Sequence, residues 1–135
     1  MFWPVGSNGW YVHGEDKAPY DQQPVEASTM AAAALAALEL RGDEKYLAIF
    51  RRAHRWFHGQ NSLEEPLAEV EAGACFDGLQ PSEVNRNQGA ESTLALITAF
   101  QQARRLQAAL RRAPRTSAVS TQAAPTQRSA APYVK

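Results

Sequence analysis

Two short stretches of this chain are versions of one device. Gln23-Pro24-Val25-Glu26-Ala27-Ser28 and Gln88-Gly89-Ala90-Glu91-Ser92-Thr93 each run from a Gln, through a residue suited to starting a helix, to a Glu followed by small residues. The interval from position 23 to position 88 is about the length of two helices and a loop, the spacing a repeating helical hairpin produces. In both copies the Glu falls in the first helical turn, where a carboxylate complements the helix dipole and reaches unpaired backbone N–H groups.

The hydrophobic pattern fills in the helices. Pro24 suits the first helical position, and Arg41-Gly42 ends a first helix whose apolar face is read as Val25, Met30, Ala33, Ala34, Ala37 and Leu38. Asp43 is the N-cap of a second helix over 43–58. There Tyr46, Phe50, Ala53 and Phe57 recur at helical spacing, and Leu47, Ile49 and Trp56 broaden the stripe. A third helix runs over 89–112, with Leu94, Ile97, Phe100 and Leu106 expected on its buried side and Pro114 beyond its end. The connection over 59–86 is long, yet Gly73-Ala-Cys-Phe-Asp-Gly-Leu79 is too apolar for a disordered linker. It is read as an ordered loop with a short strand pair. Residues 2–20 are aromatic and glycine-rich without a helical period, and form either a lid over the core or a stacking surface. The fold class expected is all-α: three helices with long ordered loops over 1–112 and a disordered tail over 113–135.

Composition narrows the chemistry. All the acidic residues lie at or before Glu91, and Arg104, Arg105, Arg111, Arg112, Arg115, Arg128 and Lys135 follow it, so a neutral total hides an acidic body and a basic end. The arginines lack interleaved aromatics and read as a solvated helix end, which argues against nucleic acid as a partner. A single cysteine, Cys75, excludes an internal disulfide and a cysteine-based zinc site. His54 and His58 share a helix face without a third ligand nearby, and no metal or cofactor is expected. No signal-peptide pattern and no apolar run of about 18 residues is present, so a cytoplasmic location away from membranes is expected.

Several motifs occur in a telling order: Gly9-Trp-Tyr, Asp21-Gln-Gln-Pro-Val-Glu-Ala, Gly42-Asp-Glu, Trp56-Phe-His-Gly-Gln-Asn61, Cys75-Phe-Asp-Gly-Leu79 and Asn87-Gln-Gly-Ala-Glu-Ser-Thr-Leu94. Together they resemble the C-terminal end of a bacterial (α/α) toroid domain of the six-hairpin glycosidase type, a domain often attached to a glycosyltransferase. Ala74, where that pattern has a second glycine, and the Glu69-Val-Glu-Ala stretch depart from it. The resemblance implies a partial toroid with 24–40 and 89–110 as inner helices and 43–58 as the outer helix between them. It implies a carbohydrate cleft at the loop-bearing end, and as partners the rest of the ring or a glycosyltransferase chain.

Glycoside chemistry uses two carboxyl groups flanking the scissile bond. The candidate catalytic groups are therefore Glu26, Asp77 and Glu91, each of which could equally cap a helix or turn. Candidate substrate-binding residues are Trp10 and Tyr11 for stacking, and Asp21, Gln22, Gln23, Asn85, Asn87 and Gln88 for hydroxyl groups. Hydrolysis, transfer and simple binding stay open. The rival reading is a small helical protein-interaction module without catalysis, in which these residues only pack and cap. A hollow where Glu26, Asp77 and Glu91 converge with Gln88 and Trp10 would favour the first reading, and an exposed apolar helix face the second.

Overall fold

A computed structural model describes residues 1–9 and 11–112. The expected disordered tail over 113–135 and the proposed stacking residue Trp10 lie outside the described residues. Three helices carry the architecture: α1 (Pro24–Arg41), α2 (Glu44–Trp56) and α3 (Ala90–Arg112). Between α2 and α3 the chain makes two antiparallel pairs, β1 (Ala68–Glu69) with β2 (Ala74–Cys75) and β3 (Gly78–Leu79) with β4 (Val84–Asn85). The chain is thus helical in frame with a small β component, and among the described residues three helices do not close a ring.

The helix ends follow from their sequences. Pro24 takes the first position of α1, where a missing N–H costs nothing, and the Glu26 carboxylate reaches back to the Gln23 N–H at a long 3.5 Å. Gly42 closes α1 in the left-handed region at φ 67, and its N–H donates to the Leu38 carbonyl at 2.8 Å. One residue later Asp43 caps α2 by accepting the Lys45 N–H at 2.9 Å.

Helix α1 packs against both α2 and α3. It is parallel to α3: the starts of both helices border one cleft, and near their far ends Arg105 donates to Glu39 at 2.8 Å. The repeat shows in the packing. Ala27, Ala31 and Ala34 are buried on α1, and the residues in the same repeat register on α3, Ser92, Leu96 and Ala99, are buried as well. On α1 all three are alanines; on α3 Leu96 stands between Ser92 and Ala99.

This packing rotates the buried faces away from those expected. Val25, Met30 and Ala33 are exposed on α1, and Leu94 and Ile97 are exposed on α3 at 63% and 42%. Helix α2 behaves as its period predicts, burying Phe50, Ala53, Trp56 and then Phe57. The difference is physical. In α2 large residues lie on one side and charges on the other, whereas α1 is apolar nearly all round, and the alanines that permit close contact face inward instead of the larger residues.

Two core clusters result. One lies among the helices around Ala31, Leu35, Phe50 and Leu106. The other lies beneath the loops, where Leu67, Cys75, Phe76, Leu79 and Val84 pack on Trp56, Phe57 and Leu96. The connection over 59–86 therefore supplies core as well as strand. Asn61 holds its start: the buried amide donates to the carbonyls of Trp56 at 2.9 Å and Glu65 at 2.7 Å.

Candidate functional site

The start of α1, the β3–β4 pair and the start of α3 surround a polar cleft of about 360 Å³. Asp21 and Gln23 line it from the approach to α1, Asp77, Gly78 and Asn85 from the strand loops, and Gly89 to Ser92 from α3. Three acidic residues line this one hollow, Asp21, Asp77 and Glu91. Two come from loops that backbone pairing holds in place. The Gln22 N–H donates to the Leu79 carbonyl at 3.0 Å, and the Leu79 N–H donates to the Gln22 carbonyl at 2.9 Å, so the strand next to Asp21 is laced to the strand after Asp77.

Asp77 is the best-anchored of the three. Its carboxylate accepts the Gly89 N–H at 2.7 Å, a bond from the Asn87 amide and one from the Ser92 hydroxyl. Its own N–H donates to the carbonyls of Asn85 and Asn87, at 3.0 and 2.9 Å. Partial burial pushes the carboxyl upward, but the Ser92, Asn87 and Gly89 bonds outweigh it and hold the group below the ordinary carboxylate range. Asp77 is therefore an ionised brace that caps the start of α3 from a neighbouring loop. Gly89 is required by this arrangement, because a Cβ there would sit 2.9 Å from the Asp77 Oδ1.

The structure separates the remaining candidates. Glu26 is outside the cleft lining; its carboxyl is pushed up by burial, against the pull of the Gln23 N–H and of Lys17. Its role in the structure is to start α1. Gln22, expected on a sugar-binding surface, is fully buried: its Oε1 accepts the Trp56 indole N–H at 3.2 Å and its Nε2 donates to the Pro19 carbonyl at 3.0 Å. Both ends of the amide are used, so no group is left for a ligand. Gln88 turns to Glu69, donating at 3.0 Å, and Asn87 is spent on Asp77, which leaves neither lining the cleft. Tyr11 is exposed and outside the lining. Of the residues singled out in sequence, Asp21, Gln23, Asp77, Asn85 and Glu91 are brought together, joined by Gln80 and Ser92.

Other reactive groups stand apart. Burial, and secondarily the Asp77 charge, pushes the Cys75 thiol up to about 12, so the sulfur is protonated and unreactive at neutral pH. His54 and His58 lie 5.1 Å apart between ring centroids and both face Phe100, within a side-chain contact between α2 and α3. Among the described residues no group of three metal-ligating side chains occurs, and no helix is long and apolar enough to cross a membrane. No protein-family model matches the chain, and no curated protein matches it in sequence.

Proposed function

We propose that the chain is part of an all-helical (α/α) toroid and that its cleft binds the hydroxyl groups of a carbohydrate. The observation that supports this reading is that Asp21, Asp77 and Glu91 line one polar hollow at the starts of two parallel helices; of the groups expected to meet there, Asp77 and Glu91 do, whereas Glu26 and Gln88 lie outside the lining. Sugars are recognised by paired donors and acceptors held rigid. Gln23, Gln80 and Asn85 offer both kinds beside the carboxylates. Asp77, already bonded three times, organises the site. Asp21 and Glu91 are the other two acidic residues of the lining, and they are the pair that would serve as acid and base if the completed ring performs glycoside chemistry. The expected role of Glu26 in catalysis has no support from its position, and it is left as a helix-starting residue.

The exposed Leu94 and Ile97 favour a second reading, a helical interaction module whose polar hollow is incidental. One experiment separates the two. Titrating the isotope-labelled chain with neutral mono- and oligosaccharides should move the amide resonances of Gly78, Asn85 and Glu91, and Glu91→Gln should weaken that binding about tenfold, or ~1.4 kcal/mol. Resonances that stay fixed through the whole panel would sink the carbohydrate reading and leave the interaction module.

A further inference from the structure

A second groove, of about 230 Å³, runs between α2 and α3 on the side away from the cleft loops. Its floor is apolar, made by Phe50, Ala103 and Leu106, with Leu110 half exposed at its end. Its α2 rim is basic: Arg51 and Arg55 line it one turn apart, about 6 Å along the helix axis. No carboxylate lines the groove, and among the described residues neither arginine takes part in an ion pair.

The same chain carries a projecting piece of opposite character. The β1–β2 hairpin turns through Val70-Glu71-Ala72-Gly73, closed by the Gly73 N–H on the Val70 carbonyl at 3.3 Å. Val70 is 63% exposed at its tip, with exposed Glu69 and Glu71 on either side. The tip is held rigidly. At the base of the hairpin the Ala68 N–H donates to the Phe57 carbonyl at 3.0 Å, and Gln88 donates to the Glu69 carboxylate at 3.0 Å without neutralising it. Two carboxylates two residues apart span at most about 7 Å of chain, which matches the spacing of the two arginines.

We propose that the Glu69-Val70-Glu71 tip of one copy of this chain docks in the α2–α3 groove of a second copy. Val70 covers the Leu106–Leu110 floor, and Glu69 and Glu71 pair with Arg51 and Arg55. A groove of this volume takes one aliphatic side chain, and its charge selects an acidic flank. A nucleic-acid backbone satisfies the arginines but gains nothing from the leucines, and the His54 ring that lines the groove is already stacked on Phe50. The hairpin satisfies both, and because it is preordered, little conformational freedom is lost on docking. Each copy bears both halves, so the contact is head to tail and either closes on itself or propagates. This goes beyond the carbohydrate reading and does not depend on it.

Sedimentation and light scattering of the full chain over a concentration series test it, with charge reversals at both halves. The wild-type chain should self-associate at low salt and dissociate as salt is raised. Arg51→Glu/Arg55→Glu and Glu69→Lys/Glu71→Lys should each weaken association about tenfold or more. Mixing the two variants should restore a heterotypic contact, because the arginine-reversed chain keeps its acidic tip and the other keeps its basic groove. All four side chains are exposed, so unchanged circular dichroism is the expected control. The proposal falls if the wild-type chain is a monomer throughout. It falls equally if reversing the groove abolishes association while reversing the tip does not, which would assign the groove to another acidic partner.

Discussion

At the scale of single residues, Asp77 shows how a carboxylate chosen for chemistry turns out to be structural. Three donors converge on it, and they come from the loop and first turn that open α3. Asp77→Ala should cost about 2 kcal/mol, because the Gly89 N–H and the Ser92 hydroxyl lose a charged acceptor. Gly89→Ala should cost a comparable ~1–3 kcal/mol by forcing a methyl group against the same carboxylate. Urea denaturation of both variants checks this. The folded carboxyl titrates below the unfolded value of 3.8, so its contribution is complete above that value and is lost as pH falls through the folded pKa. Asp77→Asn should flatten that part of the acid-unfolding curve. None of this was legible in sequence: Phe76-Asp77-Gly78 reads as a turn, and nothing there says that residue 77 caps a helix starting at residue 90. Gln22 was hidden for the same reason. Its partners, Trp56 and Leu79, lie far along the chain, and a Gln between Asp21 and Gln23 carries no mark of burial.

At the scale of elements, legibility follows the contrast in the pattern. Helix α2 alternates large apolar residues with arginines, and its start, cap and buried face were readable, while its end falls at Trp56, two residues before the expected His58. Helices α1 and α3 were readable as helices but not as faces. A nearly continuous apolar sequence has no preferred side until its neighbours are known, and here alanines won the contacts that larger residues were expected to make. A short strand pair was expected in the apolar loop before α3, and two pairs are found; each strand is only two residues long, too short for any period to set its bounds. The His54–His58 pair links α2 to α3 through Phe100 and makes this contact sensitive to acid. Burial lowers both imidazoles below the ordinary 6.5, and His58 lowers His54 further. A depressed folded pKa means the fold favours the neutral form. The stabilisation is therefore full above about 6.5 and is lost as pH drops through the folded pKa. The thermal midpoint should fall between about pH 7 and pH 5, and His54→Phe should lessen the fall while keeping the ring contacts. A midpoint in His54→Phe that falls as steeply as in the wild type would remove the pair as its source.

For the molecule as a whole, the three helices have one strongly charged side and one mostly uncharged side. Outside the helix bundle α2 shows Glu44, Lys45, Arg51, Arg52 and Arg55, the composition of a surface in water. The face formed by α1 and α3 side by side exposes Val25, Thr29, Ala33 and Ala36 on one helix and Leu94, Ile97, Thr98 and Gln101 on the other, bounded by Glu91 at one end and by the Glu39–Arg105 pair at the other. Repeat helices bury such faces by stacking on further helices, and those at the edge of an array keep them bare. The energetic consequence can be measured. Because Leu94 and Ile97 make little of the present core, Leu94→Glu/Ile97→Glu should leave the stability of this chain within about 0.5 kcal/mol of wild type in urea. The same change should reduce binding of a hydrophobic dye and raise solubility. A loss of several kcal/mol would mean the two side chains are buried in the isolated chain after all, and α3 would have to be rotated to the face its large residues suggest. A neutral result, joined to lost assembly with any chain that supplies further hairpins, would identify this face as the surface on which the fold is completed.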